Sequence, residues 1–173
     1  MYIKIGGSLC ILLVAAAVGF FKAEQLGIRV KRLMELKRMM ILLQGELRFH
    51  RATLSEAFAG AAERLEEPFR SMLEKLSQQM ELQNSPDFSI LWQNMVKELF
   101  QMGGFLPEDE GLFQSLHNGL GYLDLTMQTE TLHHAVLQTE EAIETAKKQQ
   151  EIKGKLYRTI GVTAGAFIVL LVI

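Results

Sequence analysis

Apolar residues gather at the two ends of the chain and polar residues fill its middle. Ile5 to Phe21 (IGGSLCILLVAAAVGFF) and Thr159 to Ile173 (TIGVTAGAFIVLLVI) carry no charged side chain. At 1.5 Å per residue, each stretch approaches the roughly 30 Å core of a bilayer. Lys4 and Lys22 bracket the first and can snorkel to the interfaces, while Tyr157 and Arg158 supply an interfacial anchor before the second. Both stretches are therefore expected to be transmembrane helices, over residues 1–21 and 159–173. Two other readings compete: a cleaved signal peptide ending near Ala15-Ala16-Ala17, and a buried core helix at the C-terminal end.

Residues 22–158 show helical spacing and no alternating strand run. Leu26, Val30, Leu33, Leu36 or Met40, Leu43 and Leu47 recur every three to four residues, predicting a helix from Lys22 to Phe49. After a turn at His50-Arg51-Ala52, the order Thr53-Leu54-Ser55-Glu56 is a capping box that opens a helix to about Leu65. Pro68 is expected in the first turn of the next helix, which runs toward Leu82. Ser85-Pro86 then caps and opens a helix over Asp87 to Met102, stopped by Gly103-Gly104. Pro107 with Glu108, Asp109 and Glu110 favours another helix start, ending around Asn118-Gly119, with Gly119-Leu120-Gly121 as a turn. A last helix is expected from Asp124 to Arg158 and on into the second apolar stretch, with a solvated stalk over Glu140 to Lys155. The expected fold is all-α: a bundle of about six helices with a transmembrane helix at each end. Phe58, Phe69, Phe88, Trp92, Phe100, Phe105 and Phe113 are its expected core. Met34, Met39 and Met40 could be core or a binding surface.

Charge gives the arrangement a direction. From Lys22 to Arg51 there are eight basic residues against three acidic ones, with Lys22, Arg29, Lys31, Arg32, Lys37 and Arg38 among them. Lys153, Lys155 and Arg158 stand before the second stretch. Basic residues beside an apolar segment hold that side in the cytoplasm, so the bundle is expected to be cytoplasmic, with these residues near anionic headgroups. Between Ala52 and Asn118 the balance reverses, to eleven acids against four basic residues. That surface is either a solvated face or a docking face, with Glu108, Asp109 and Glu110 as candidate contacts. Ala15-x-x-x-Gly19 and Gly161-x-x-x-Gly165 are candidate helix-packing positions in the membrane.

Candidate chemistry is scarce. The net charge of −2 offers no case for nucleic-acid binding. A single cysteine, Cys10, excludes a disulfide framework and a multi-cysteine zinc site. It lies in an apolar run, where the bulky Leu9 argues against lipid attachment. There is no phosphate-binding loop of the G-x-x-x-x-G-K-[ST] type. His133 and His134 are adjacent and splay apart on a helix, so they do not form a metal pair; His50 and His117 are read with them as surface histidines. No catalytic, cofactor or metal site is expected, and the chain is read as a non-enzyme. An enzyme with a site hidden in the bundle would need a buried polar cluster.

Three stretches, in this order and between the two apolar ends, resemble the stage III sporulation protein AB family of endospore-forming bacteria. They are Arg29-Val30-Lys31-Arg32-Leu33-Met34-Glu35-Leu36-Lys37 with Leu42-Leu43-Gln44-Gly45-Glu46-Leu47; Ala52-Thr53-Leu54-Ser55-Glu56-Ala57-Phe58; and Leu116 to Gly121 with Gln128, followed by the long charged helix and Tyr157 to Gly165. The family often has Thr-Pro-Leu where this chain has Thr53-Leu54. The resemblance covers the whole chain. It implies a place in the machine joining mother cell and forespore, in the mother cell membrane around the forespore. It also implies similarity to the cytoplasmic domain of platform proteins of type II secretion and type IV pilus systems. Its implied partners are a cytoplasmic secretion-type ATPase, other membrane components of the channel and the lipid bilayer, with self-association compatible. A secretion or pilus platform unconnected with sporulation is the alternative.

Overall fold

A computed structural model describes the backbone over residues 2–50, 52–82, 86–120 and 124–172, and the side chains there except those of 2–6, 8–12 and 170–172. In order, α1 is Tyr2–Gly45, followed by a π-helical turn over Glu46–His50. Then come α2 Leu54–Ala62, α3 Phe69–Met80, α4 Phe88–Gln101, a 3-10 turn over Pro107–Asp109, α5 Glu110–Leu120 and α6 Leu125–Val172. The fold is all-α, with about six helices and no strand among the described residues. The chain divides into two compact units. The first holds Met1–Val30 and Glu144–Ile173, the second Lys31–Ile143.

In the second unit, α1 buries Leu33, Leu36, Met40 and Leu43 and the π-helical turn buries Leu47, positions on the stripe the spacing predicts. Each such leucine contributes about 1.5–3 kcal/mol by leaving water. Met39 is also fully buried while Met34 is half exposed, so the methionine cluster is mostly core. α6 runs antiparallel beside α1: Lys37 Nζ donates to Glu140 Oε1 at 2.7 Å and Gln44 Nε2 donates to the Thr129 carbonyl at 3.2 Å. The buried Thr139 hydroxyl donates to the Ala135 carbonyl at 2.7 Å, which satisfies it within its own helix, and lies 3.6 Å from Met40 Sδ. At the opposite side, Phe105 meets Phe69, Phe100 and Phe113, and Phe88 lies between Phe58 and Trp92. Five of the seven expected core aromatics are buried; Phe88 and Phe100 are only partly so. One face of the Phe88 ring is covered by His117, stacked at 6.1 Å, and Phe100 lines an open groove.

Several element starts differ from the sequence expectation. The capping box at Thr53 is present: Thr53 N–H donates to Glu56 Oε2 at 2.7 Å, and Glu56 N–H donates to Thr53 Oγ1 at 3.3 Å. Pro68 occupies the N-cap of α3 rather than its first turn. α4 begins at Phe88 with Asp87 at its N-cap, so Pro86 stands outside the helix. Ser85, the expected cap, lies outside the described residues, as do Arg51 and Gly121. Gly103 and Gly104 have φ of 81° and 95°, the left-handed region where only glycine is unstrained, and they end α4 as expected. Gly119 is not in a turn. It is buried inside α5, where an added Cβ would collide with the Thr131 side chain, so its role is to let α5 and α6 approach closely. The π-helical turn was not foreseen. Glu46, its first residue, is buried.

In the first unit, α1 and α6 pair antiparallel through small residues. A Cβ on Gly19 would lie 2.6 Å from the Tyr157 carbonyl oxygen, and one on Gly161 would lie 2.9 Å from that of Ala15. Gly165 is buried as well. The large apolar side chains point outward: Val14, Val18, Phe20, Phe21, Ile160 and Phe167 are all about half exposed or more. Among the described residues no helix is long and apolar enough to cross a membrane, so the two flanking spans do not stand on the structure. Ile5 and Cys10 within the first expected span, and Leu170 to Ile173 in the second, have side chains outside the described residues. The expected stalk keeps one packed side, with Ala146 and Gly154 buried and Ile152 exposed.

Candidate interaction surfaces

The acidic turn forms where Leu106 leads into α5. Leu106 N–H donates to Asp109 Oδ2 at 2.8 Å, so this carboxylate caps the turn and is 2% exposed. Of the three expected docking acids, only Glu108 and Glu110 present their side chains at the surface. Asp109 holds the loop that displays them. Sequence alone could not separate the three, because consecutive residues at a helix start look alike until one turns inward.

The basic residues also divide. Arg29 is 5% exposed, and its Nη1 donates to Gln149 Oε1 at 3.2 Å, tying α1 to α6 within the first unit. Arg32 Nη1 donates to the Glu67 carbonyl at 3.0 Å, and Lys37 is held by Glu140. Arg158 lies over the Phe20 ring at 5.8 Å. Arg38 and Lys155 have only loose neighbours, Glu35 and Glu151, each at 3.7 Å on their own helix. Lys22, Lys31 and Lys153 are exposed. The basic flank is thus part fold and part surface.

Two features were missed in the sequence. The first is a buried carboxylate at the π-helical turn. Glu46 has a side chain 9% exposed, with His50 Nδ1 2.6 Å from one oxygen and Arg64 Nη2 3.5 Å from the other. Gly60 on α2 packs against it, so closely that an added Cβ would lie 3.0 Å from the carboxyl carbon. The second is a groove of 810 Å³ between α4 and α5. Its floor is Trp92, Phe100 and Phe113, and amides such as Gln93, Gln101 and Gln114 line its rim. The Trp92 indole N–H donates to the Phe113 carbonyl at 3.1 Å, fixing the floor. The recurrence of polar residues at Gln93, Lys97 and Gln101, one turn apart, was the available signal. His117, half buried beside the groove, lies 3.0 Å from Ser89 Oγ through Nε2.

The Glu56 carboxyl is held below its ordinary range, because the Thr53 N–H and then the Thr53 hydroxyl bind the charged form. Among the described residues no group of His, Cys, Asp or Glu is arranged to hold a metal ion. His133 and His134 are both exposed, with their rings tilted at 60° to each other.

Searches of curated proteins and of solved structures return no match. The family model for stage III sporulation protein AB matches residues 4–173, almost the full length given, and the chain belongs to that family.

Proposed function

We propose that this protein is a non-enzymatic membrane platform of the complex joining mother cell and forespore, coupling a cytoplasmic secretion-type ATPase to the membrane components of that complex. Family membership implies the role in sporulation; the platform role and the ATPase go further. The observation that carries the reading is the inverted packing of the first unit. Its closest backbone approach is at Gly19 and Gly161, while large apolar side chains such as Val14, Val18, Ile160 and Phe167 face out. In water that arrangement costs free energy, because apolar area stays exposed. In lipid it is favourable, since close backbone approach then drives helix association and outward apolar groups meet acyl chains. The hairpin anchors the chain in the mother cell membrane around the forespore, and the basic residues nearby hold the bundle on the cytoplasmic side.

On this reading, Glu108 and Glu110 are contacts for the ATPase, with Asp109 as their support. The full chain, purified with its ATPase from vesicles, should retain the ATPase, and Glu108→Lys with Glu110→Lys should weaken retention at least tenfold. Wild-type protein that fails to retain the ATPase with nucleotide present overturns the coupling. Protease added outside inverted vesicles should digest the bundle, and in intact cells should leave it whole; the reverse pattern overturns the orientation.

A further inference from the structure

In the first unit, the exposed apolar residues form a stripe on each helix. On α1, Val14, Phe21 and Ile28 recur every seven residues. On α6, Ile152, Leu156 and Ile160 recur every four, pointing away from the packed side at Gly161 and Gly165. Both stripes run past the uncharged stretches, which end at Phe21 and begin at Thr159. Ile28 is 40% exposed, Leu156 52% and Ile152 70%. Continuing each spacing gives Glu35 on α1 and Lys148 on α6, so both stripes stop there. They stop at one level. Gln150 lies against Gly27, and Arg29 Nη1 donates to Gln149 Oε1 at 3.2 Å. Those contacts set Ile28 and Ile152 within about 4 Å of each other in height. The interior changes at the same level, from close glycine contact at Gly19 and Gly161 to a buried arginine bonded to an amide.

We propose that this level, about two turns beyond the uncharged stretches, is the outer edge of the lipid headgroup layer, and that the cations beneath it bind the phosphates of anionic lipids. This rests on the hairpin lying in lipid, as proposed above. Residues 22–28 and 152–160 hold four basic side chains, Lys22, Lys153, Lys155 and Arg158, against one acid, Glu24. All four are exposed. At 3.6 residues per turn, Lys155 borders one side of the α6 stripe and Lys153 the other. Side chains so placed lie along their apolar neighbours and carry their charge into the headgroups. Arg158 marks the inner edge, its guanidinium carbon 5.8 Å from the centre of the Phe20 ring. Lys155 has Glu151 at 3.7 Å, with both side chains exposed, a contact that a phosphate can replace. The layer covers about 10–12 Å of helix, enough to cross a headgroup region of about 5–8 Å. A protein partner fits this collar less well, because Ile152 and Leu156 continue the outward face that meets acyl chains. The first two turns of the expected stalk thus belong to the membrane surface rather than to water.

Spin labelling of the full chain in vesicles tests it, with Cys10→Ser as background and single labels at Glu144→Cys, Ile152→Cys or Phe167→Cys. The vesicles hold equal parts of phosphatidylcholine and phosphatidylglycerol. A water-soluble nickel chelate should reach the Ile152→Cys label at least threefold less than the Glu144→Cys label, and the Phe167→Cys label should meet oxygen instead. Spin-labelled phosphatidylglycerol should associate with the unlabelled parent at least twofold more strongly than spin-labelled phosphatidylcholine. Lys22→Gln, Lys153→Gln, Lys155→Gln and Arg158→Gln together should remove that preference. A Phe167→Cys label as open to nickel as the Glu144→Cys label overturns the membrane reading, and this proposal with it. With Phe167→Cys shielded, an Ile152→Cys label as open as Glu144→Cys overturns the proposed level alone. Equal association of the two lipids, or a preference that survives the four substitutions, overturns the headgroup contact. Circular dichroism of these surface variants should match the parent.

Discussion

Replacing Gly60 with alanine should destabilise the protein, and replacing Glu46 first should reverse the sign. A Cβ on Gly60 would lie 3.0 Å from the Glu46 carboxyl carbon and 3.2 and 3.3 Å from its oxygens. Ordinary contacts of this kind are near 3.5–4.0 Å, so the carboxylate must retreat by several tenths of an ångström. His50 and Arg64 hold it from the other side, and retreat means giving up one of them. Overpacking of this size costs about 1–3 kcal/mol. Against it stands the gain of about 0.5–1 kcal/mol when alanine replaces glycine within a helix. The net expectation for Gly60→Ala is a loss of about 0.5–2 kcal/mol. Glu46→Ala alone should cost about 1–2 kcal/mol, below the 3–5 typical of a stranded buried charge. Its two partners are 61% and 57% exposed, so they return to water. With Glu46 gone the space beneath Gly60 opens, and Gly60→Ala should then stabilise by about 0.5–1 kcal/mol. The cycle therefore predicts a favourable coupling of about 1–3 kcal/mol. Urea unfolding of the four proteins in detergent, followed by far-ultraviolet circular dichroism, measures it. Equal effects of Gly60→Ala in both backgrounds would refute the claim that Glu46 sets the packing of α2 on the π-helical turn.

Gly119→Val should cost more than about 2 kcal/mol, because Thr131 occupies the space of its side chain; thermal unfolding should show much of the loss recovered by Thr131→Ala. Trp92→Phe removes the donor to the Phe113 carbonyl and should cost about 1–3 kcal/mol, seen as a lower unfolding temperature. Spin labels at Val18 and Ile160 should move apart by about 2 Å in Gly161→Leu; an unchanged distance would mean that the glycine contact does not set the spacing. The folded Glu56 carboxyl titrates below its unfolded value of about 4.3. Its contribution to the α2 N-terminus is present above that value and is lost as pH falls through the lower, folded one. The Thr53 amide, which donates to the Glu56 carboxylate, should lose protection from exchange over that acidic window in the parent, and Glu56→Gln should show no such step.

The helices could be read from the chain because their signals are local. The leucine stripe of α1, the Thr53–Glu56 box and the Gly103-Gly104 stop depend on residues a few positions apart. What stayed hidden depends on residues far apart. Gly119 looked like a turn because nothing nearby says that Thr131 will press on it. Asp109 looked like its neighbours because only the folded loop aims it at the Leu106 amide. Glu46 looked like one more charged residue on a helix, until Gly60 and Arg64 closed around it. The groove behind Phe100 has the same origin, since an apolar residue at helical spacing reads as core whether or not another helix arrives to cover it.

The first unit inverts the usual link between side-chain size and constraint. In a water-soluble core the large residues are fixed and small surface ones drift. Here the glycines at 19 and 161 are fixed by backbone atoms that cannot move aside, while in the lipid setting proposed above Val18 and Ile160 need only stay apolar. A saturation library across this hairpin should therefore accept exchange among large aliphatic and aromatic residues on its outside and reject even alanine at its two central glycines. Over evolutionary time, lineages of such a hairpin would drift in their bulky letters and keep their smallest ones.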